Sequence, residues 1–481
     1  MASRPPRSDP AALVARLAGS GRSDLTRFLI RQRWFAAKAR GIVAVDVLDW
    51  AVLDRDAPLV LLLIAVDGDQ YYVPVTVSAE AAPEAALARA GAETVVDAHH
   101  DPRFGRRVLA AIAAGRSLDG LRGRFAFLPT PGWVFPRDPD ALAVRRLIGE
   151  QSNTSVVVAD LVLKSLRRPQ PGLNPDLEIT RFLTTRTAFR HVPRLAGWVE
   201  YSRAGQSSTL AVLQEFVPNT GDGWTHVLSA LGGRGAEIER RPDPLLDDVR
   251  ALGAITGGLH VALASEDRDA DFRPEPVGLD DTARWASEIA GELAASDVRE
   301  RSGDARAADA AARALAALDG LAGATAKIRV HGDYHLGQVL KTPDGFVIID
   351  FEGEPARPLA ERRRKQPALR DVAGMLRSLD YAAHAVALRR PEAEQAAALV
   401  ALTAWEAQAR HAFLDGYLGA VAKSPVPLAP ATTEALGAAC APFELQKALY
   451  ELRYELDNRP GWVAIPLAGI RRILGLGPAT R

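Results

Sequence analysis

Residues 329–381 read RVHGDYHLGQVLKTPDGFVIIDFEGEPARPLAERRRKQPALRDVAGMLRSLDY. An apolar approach (Ile328, Val330) leads to His331-Gly332-Asp333, then to Gln338, and an apolar run Phe346–Ile349 delivers Asp350 at its end. Two acids and an amide carbonyl in this order suit a site that holds a divalent cation beside a positioned hydroxyl.

Phosphoryl-transfer enzymes of the kinase type use such a set. Their catalytic loop, H-R-D-x-x-x-x-N, puts an aspartate on the acceptor hydroxyl and an amide on magnesium, and a later aspartate, opening a D-F-G triplet, binds magnesium again. Asp333 and Gln338 keep the loop spacing, with Gln for Asn, and Asp350-Phe351-Glu352 stands where D-F-G would. Asp333 is the candidate catalytic base, Gln338 and Asp350 the candidate Mg²⁺ ligands. His331 reads as loop support and His335 as a group on the substrate side.

Composition narrows the class. A chain of 481 residues is too long for one ordinary core, so two or three lobes are expected. With 59 basic against 59 acidic residues there is no basic excess to hold nucleic acid. The apolar run Leu59–Val66 is far too short to span a membrane, and no basic then apolar leader opens the sequence. A single cysteine, Cys440, excludes an internal disulfide framework and a multi-cysteine zinc site. These features predict a cytoplasmic enzyme.

Along the chain, Trp34 and Phe35 in LIRQRWFAAKAR read as anchors of a helix on a sheet. Ile42–Ser78 reads as a β meander with an Asp67-Gly68 hairpin turn; Pro83–Ala90 and Arg106–Ala114 read as short helices, and Glu93–Asp97 as a strand. Two β-runs, Ala143–Ile148 and Ser155–Val158, flank the polar loop Gly149-Glu150-Gln151-Ser152-Asn153-Thr154, the place for a turn that covers phosphates, which makes Ser152, Asn153 and Thr154 nucleotide candidates. Lys164 lies in the apolar run Leu161–Leu166 and needs an anion. The helix that follows starts with Asn174 as N-cap, Pro175 at N1 and acids in its first turn. Its Glu178 is the predicted partner of Lys164, the pair that in kinases sets the lysine on the nucleotide phosphates. A strand Leu210–Val217 ends at Pro218, where a hinge is expected, with Glu215, Phe216 and Val217 as backbone contacts for adenine. Beyond it apolar residues recur at helical spacing.

A hydrolase with paired carboxylates would have no use for Lys164 and Glu178. A non-catalytic scaffold of the same fold would be expected to lose Asp333, Asp350 or Lys164, and all three are present.

Taken together, HGDYHLGQVL, IDFEGEP, LRDVAGMLRSLDYAA, GEQSNTS, LKSLRRPQPGLNPDLEITRFL, the RQRWF start and the tail ALYELRYELDNRPGWVAIPLAGI resemble maltokinase, across nearly the whole chain. The resemblance implies an α+β, bilobal protein-kinase-like (aminoglycoside phosphotransferase-like) fold, with an N-terminal cap at 1–95, a β-containing nucleotide part at 96–217 and a mainly helical lobe at 218–481. It implies Mg²⁺ and ATP as cofactors, maltose as acceptor, maltose 1-phosphate as a product feeding α-glucan synthesis from trehalose, and a separate trehalose synthase as a candidate partner. Sugar contacts are then expected from Glu352, Arg357, Tyr450, Glu451, Tyr454 and Trp462, aromatic walls and charged groups suited to a disaccharide. Glucosamine kinase, a related family with a similar architecture, is the alternative, alongside other aminoglycoside-type phosphotransferases. An amino sugar needs a carboxylate for its ammonium, for which Glu352, Glu354 and Glu451 are candidates.

Overall fold

The computed structural model describes residues 9–35, 41–56, 58–90, 93–147, 152–233, 243–296, 304 and 306–476. The loop residues Gly149-Glu150-Gln151 and most of the charged loop expected at 234–243 lie outside them. The chain forms two compact units, one from Met1–Arg181 with Pro193–Phe216, the other from Phe182–Val192 with Val217–Arg481. The α+β class is as the sequence indicates.

The first unit holds two antiparallel sheets. One is built from β1 (Val45–Asp54), β2 (Leu59–Val66), β3 (Asp69–Tyr72), β4 (Val75–Ser78), β5 (Ala86–Ala90) and β6 (Glu93–Asp97), in the order β1-β2-β4-β6-β5 with β3 on β2. The second contains β7 (Ser117–Asp119), β8 (Arg124–Pro129), β9 (Val144–Arg146), β10 (Asn153–Val158), β11 (Leu161–Leu166), β12 (Leu195–Arg203) and β13 (Gln206–Glu215), in the order β7-β8-β12-β13-β11-β10-β9.

Strand β2, LVLLLIAV, explains the packing. Successive side chains of a strand point to opposite faces, and here both faces are covered. Leu59, Leu61 and Leu63 enter a core shared with the helix Pro102–Ala113 and with Phe125, Val156, Leu163 and Leu213 of the second sheet. Val60, Leu62, Ile64 and Val66 enter another with Leu13, Phe28, Trp34 and Phe35. Each such side chain, fully buried, contributes about 1.5–3 kcal/mol before the entropy of ordering is subtracted. Trp34 and Phe35 are anchors as read, meeting Tyr71 at 6.1 and 5.1 Å between ring centroids.

The hairpin turn is also as read. Asp67 (φ 50°) and Gly68 (φ 93°) join β2 to β3 in the left-handed conformation that such two-residue loops need. Pro83–Ala90 is not a helix: Ala86–Ala90 forms β5, paired with β6. Alanine and leucine favour helix locally, but the ladder to Glu93–Asp97 satisfies the backbone and outweighs that preference. The helix expected at Arg106–Ala114 begins earlier, at Pro102, because Asp101 caps it through the Arg103 N–H at 2.8 Å.

The two sheets are tied by a buried charged network. Arg167, just after β11, donates to Asp97 at the end of β6 and to the Thr154 hydroxyl (2.8 Å), and lies over the Trp34 ring at 4.7 Å. His99 Nδ1 meets Asp97 Oδ1 at 2.7 Å.

In the second unit, the helices Pro244–Leu263 and Glu392–Val421 pack backbone to backbone. A Cβ on Gly253 would lie 2.1 Å from the Phe413 carbonyl oxygen, and one on Gly416 2.1 Å from that of Arg250. The helices Leu369–Leu388, Thr433–Asn458 and Ala464–Ile473 complete the part that bears on the site. Among the described residues, no helix is long and apolar enough to cross a membrane.

The Asp97–His99 pair predicts acid lability with a defined sign. Burial first, and the Arg167 charge next, push His99 down from 6.5 to about 4. The unfolded chain takes up this proton near 6.5 and the folded one only near 4, so stability present at neutral pH is lost as pH falls through that window. Asp97, held well below the usual carboxylate range by Arg167 and His99 against the effect of burial, adds further loss below about pH 4. Urea midpoints measured at several pH values should fall between about pH 6.5 and 4, and His99→Asn should flatten that part of the curve. An unchanged slope in the variant would remove His99 from the account.

Candidate active site

The loop His331–Gln338 is built on one carboxylate. Asp371, near the start of the helix Leu369–Leu388, accepts the His331 N–H (2.7 Å) on Oδ2 and the Gly332 N–H (2.9 Å) on Oδ1. It is buried and meets His260 Nε2 at 3.1 Å, whose Nδ1 faces the Tyr417 hydroxyl at 3.0 Å. Burial would raise its pKa, but the His260 and backbone hydrogen bonds hold it below the ordinary value. Further along, Ser378 Oγ accepts the Leu336 N–H (3.1 Å), and Gly374 leaves room for the Tyr334 carbonyl, which a Cβ would approach to 2.5 Å. Thus residues 371, 374 and 378 of one helix fix the loop. Gly332, at φ 83°, adopts the turn that a side chain would strain.

This scaffold presents Asp333. Its Oδ1 accepts from Lys447 Nζ at 2.8 Å, and the same ammonium reaches Glu354 Oε1 at 3.4 Å. Burial would raise the Asp333 pKa; the Lys447 charge, with smaller help from His335 and His331, brings it below the ordinary value. His331 supports the loop as read, its Nε2 meeting the Ile349 carbonyl at 2.9 Å.

Gln338 and Asp350 come together: Gln338 Nε2 donates to Asp350 Oδ2 at 3.0 Å, and the Ile349 N–H donates to the Gln338 carbonyl at 3.0 Å. Asp350 has φ 67°, sparsely populated for a residue with a side chain. Carboxylate oxygens of Asp350 and Glu352 lie within 4.8 Å of each other. The two carboxylates offer oxygen donors, the chemistry that hard cations such as Mg²⁺ require, and the Gln338 side-chain amide lies against them through its nitrogen.

The predicted sugar residues other than Glu352 fall around two cavities of the second unit, whereas Glu352, expected on the sugar, lines neither of them and has a carboxylate oxygen beside Asp350. One, of about 550 Å³, is lined by Asp333, Glu354, Arg357, Lys447 and Tyr450 among others. The other, of about 520 Å³, is lined by His335, Tyr450, Glu451, Tyr454 and Trp462. Lys447 and Tyr450 border both. Arg357 donates to Glu354 at 2.6 Å, Glu451 accepts from the buried Arg377 at 2.6 Å, and Trp462 stacks on Tyr381 at 5.9 Å. Tyr450 and Tyr454 stack at 6.5 Å. His335 caps the turn Leu336–Gln338, Nδ1 accepting the Gly337 N–H at 3.0 Å; burial lowers its pKa. Arg362 donates to the Glu352 carbonyl oxygen at 2.9 Å.

In the first unit, Lys164 lies on β11, flanked by β10 and β13. Its Nζ donates to Asp176 Oδ2 at 3.1 Å, and Glu178 is buried on the same helix. Asn174 caps that helix as expected, Oδ1 accepting the Asp176 N–H at 2.8 Å. Asn153 and Thr154 belong to β10 rather than to a loop, because their backbone pairs with Leu166 and Ser165; Ser152 precedes the strand. At the expected hinge, the Phe216 N–H goes to the Asp160 carbonyl (2.7 Å), Glu215 pairs with Arg194, and the Val217 carbonyl accepts from Asn219 Nδ2 at 2.8 Å.

Sequence reasoning missed three residues here. Asp176 stood beside Glu178 among the acids of the helix start. Lys447 sits three residues before Tyr450 and four before Glu451, hence on the face already assigned to the sugar. Asp371 carried no local signal, since its partners lie about forty residues upstream.

Comparisons with known proteins bear on the family of the chain. Residues 28–101 match the family described as the maltokinase N-terminal cap domain, and residues 143–353 match the phosphotransferase enzyme family. Glucosamine kinase of Streptacidiphilus jiangxiensis is 31% identical over 329 residues, covering 67% of this chain and 71% of that protein. Glucosamine kinase of Mycolicibacterium smegmatis is 31% identical over 344 residues, covering 70% and 81%. Among solved structures, glucosamine kinase in complex with glucosamine, ADP and inorganic phosphate aligns with TM-score 0.67 at 25% identity, over 93% of this chain and 99% of that one.

Asp371→Ala would strip the acceptor from two adjacent loop amides, of which the buried His331 N–H left unpaired costs about 1–3 kcal/mol. A lowered melting temperature together with a drop in kcat of at least about tenfold is the expected outcome. A variant with wild-type kcat would show that the loop keeps its shape without this carboxylate.

Proposed function

The chain belongs to the phosphotransferase enzyme family, with a maltokinase-type N-terminal cap, and on that premise we propose that it is an ATP-dependent kinase converting maltose to maltose 1-phosphate. The observation that carries the kinase reading is the loop in which one buried carboxylate, Asp371, fixes the amides leading into Asp333. In-line transfer asks a protein for positioning and charge neutralisation more than for covalent help. The acceptor hydroxyl oxygen bonds to the γ-phosphorus of ATP, the bond to the β–γ bridging oxygen breaks, ADP leaves, and the hydroxyl proton passes to Asp333.

A base whose pKa is held low is weak. In a loose transition state the proton leaves late, so Asp333 mainly orients the hydroxyl. Gln338, Asp350 and Glu352 would hold Mg²⁺, which when bound neutralises charge on the phosphates. Lys164 is assigned to the phosphates, with Asp176 and Glu178 steadying it; Ser152, Asn153 and Thr154 to phosphate cover; Glu215–Val217 to adenine. The cap is assigned to 1–95, the rest of the nucleotide part to 96–217 and the acceptor side to 218–481. Tyr450, Tyr454, Trp462, Arg357, Glu451 and His335 are assigned to the sugar. Maltose is favoured by the cap match and by the aromatic tail; its supply from trehalose by a separate trehalose synthase goes with this reading, as does a cytoplasmic place. Glucosamine as acceptor is the second reading, favoured by the relatives at 31% identity.

Maltose, glucose, glucosamine and an aminoglycoside, each offered with Mg-ATP and with the product phosphate located by NMR, separate the readings. Phosphate on the anomeric oxygen of maltose is expected; inert maltose with glucosamine turned over establishes the second reading.

Asp333→Asn should lower kcat by about 10²–10⁴-fold while nucleotide binding persists; activity within a few-fold of wild type refutes its role. Lys164→Ala should raise the KM for ATP by about tenfold or more and leave the KM for sugar in place, as loss of one charged phosphate contact implies. Unchanged nucleotide kinetics would contradict that assignment.

A further inference from the structure

Lys447 is the one cation that touches Asp333 among the described contacts, and its surroundings bear on which acceptor the cavity takes. Its Nζ bridges Asp333 Oδ1 (2.8 Å) and Glu354 Oε1 (3.4 Å) and lies 5.0 Å from the Tyr450 ring centre. The side chain is 19% exposed. Burial would favour the neutral amine, but the two carboxylates outweigh it and keep the lysine charged.

A carboxylate pair beside the reacting hydroxyl is the natural seat for the ammonium of an amino sugar. Here that seat is filled by the chain itself. Glu354 has both oxygens engaged, Oε1 by Lys447 and Oε2 by Arg357 at 2.6 Å. Two other acids of the same cavity are committed in the same way, Glu292 to Gln446 (2.9 Å) and Arg453 (3.2 Å) and Glu288 to Arg370 (3.7 Å), and Glu361 completes the acidic lining. Basic side chains lining the cavity outnumber acidic ones, six to five. Like charges brought together in a partly buried site repel, because water screens them poorly there.

We propose that Lys447 is a specificity-determining residue that supplies the cation at Asp333 and Glu354 from within the chain, so that the enzyme selects neutral sugars and rejects those bearing an ammonium. The inference rests on the sugar-kinase reading and deepens it by naming the acceptor class. Lys447 also leaves Asp333 its second oxygen, Oδ2, for the acceptor hydroxyl. A neutral sugar can use the Nζ protons only through its oxygens, as a hydrogen-bond acceptor. An amino sugar protonated at neutral pH can accept nothing at its nitrogen and meets the lysine as a like charge.

Glucose and glucosamine differ only at one substituent and make a matched pair. Their calorimetric binding, and kcat/KM for them and for maltose, would be measured in wild type and in Lys447→Met and Lys447→Gln. Wild type is expected to bind glucose at least about tenfold better than glucosamine, the range one uncompensated charge commands. Both variants are expected to gain about tenfold or more in glucosamine binding relative to glucose, whatever their kcat, because binding does not need the proton transfer. A merely structural lysine would weaken both sugars together and leave the ratio in place, and that result overturns the proposal. So does a wild-type enzyme that binds or phosphorylates glucosamine better than its neutral counterparts, a measurement that needs no variant; the kinase reading then survives. A wild-type protein that phosphorylates no sugar refutes the kinase reading itself, and the inference with it.

Discussion

The carboxylate of Asp371 is the constraint on which the active loop depends. It accepts two consecutive amides, from His331 and Gly332, and this fixes the left-handed turn from which Asp333 projects. A loop held through its own backbone amides costs little reorganisation when substrate arrives, which is the form of preorganisation that electrostatic catalysis rewards. The carboxylate is in turn tied through His260 to Tyr417 on the long helix Glu392–Val421. Close approach of that helix to Pro244–Leu263, through Gly253 and Gly416, sets the position of His260. The chain of cause therefore runs from two glycines, through a histidine, to the loop that carries Asp333.

Charge around the cavity beside Asp333 is organised by pairing between distant segments. The loop after Asp350 contributes Glu354 and Arg357, and the tail helix Thr433–Asn458 contributes Lys447 and Arg453. Charge this dense is tolerated because Asp333, Glu354 and Glu292 each have a cation or an amide within reach. The tail thus supplies charged partners to Asp333 and Glu354 as well as aromatic side chains.

Much of this was legible in the sequence because it is local. Asp333, Gln338 and Asp350 are read by spacing, Asn174 by its place before a proline and acids, and the Asp67-Gly68 turn by the conformations that only certain residues adopt cheaply. The helix Thr433–Asn458 ends just before Pro460, which cannot continue it. What could not be read is non-local. Lys447 and Asp333 are separated by 114 positions, and no periodicity within either segment reports the other. Ala86–Ala90 is a strand only because Glu93–Asp97 lies beside it, and a window that contains alanine and leucine carries the opposite signal. Asn153 and Thr154 looked like loop because polar residues usually are, yet they extend a strand whose hydrogen-bonding partners come later in the chain.

Strand β2 has one more consequence. In a sheet with one wet face, slipping the register by a single residue drives apolar side chains into water, and hydrophobicity alone locks the pairing. Leu59–Val66 is apolar on both sides, so a slip would merely exchange one greasy set for the other and solvent would not object. Alignment must therefore be imposed by geometry: by the Asp67-Gly68 turn, which clamps β3 against β2, and by the irregularities in β1 between Val47 and Asp49 and between Val52 and Asp54, which offer that strand only one fit.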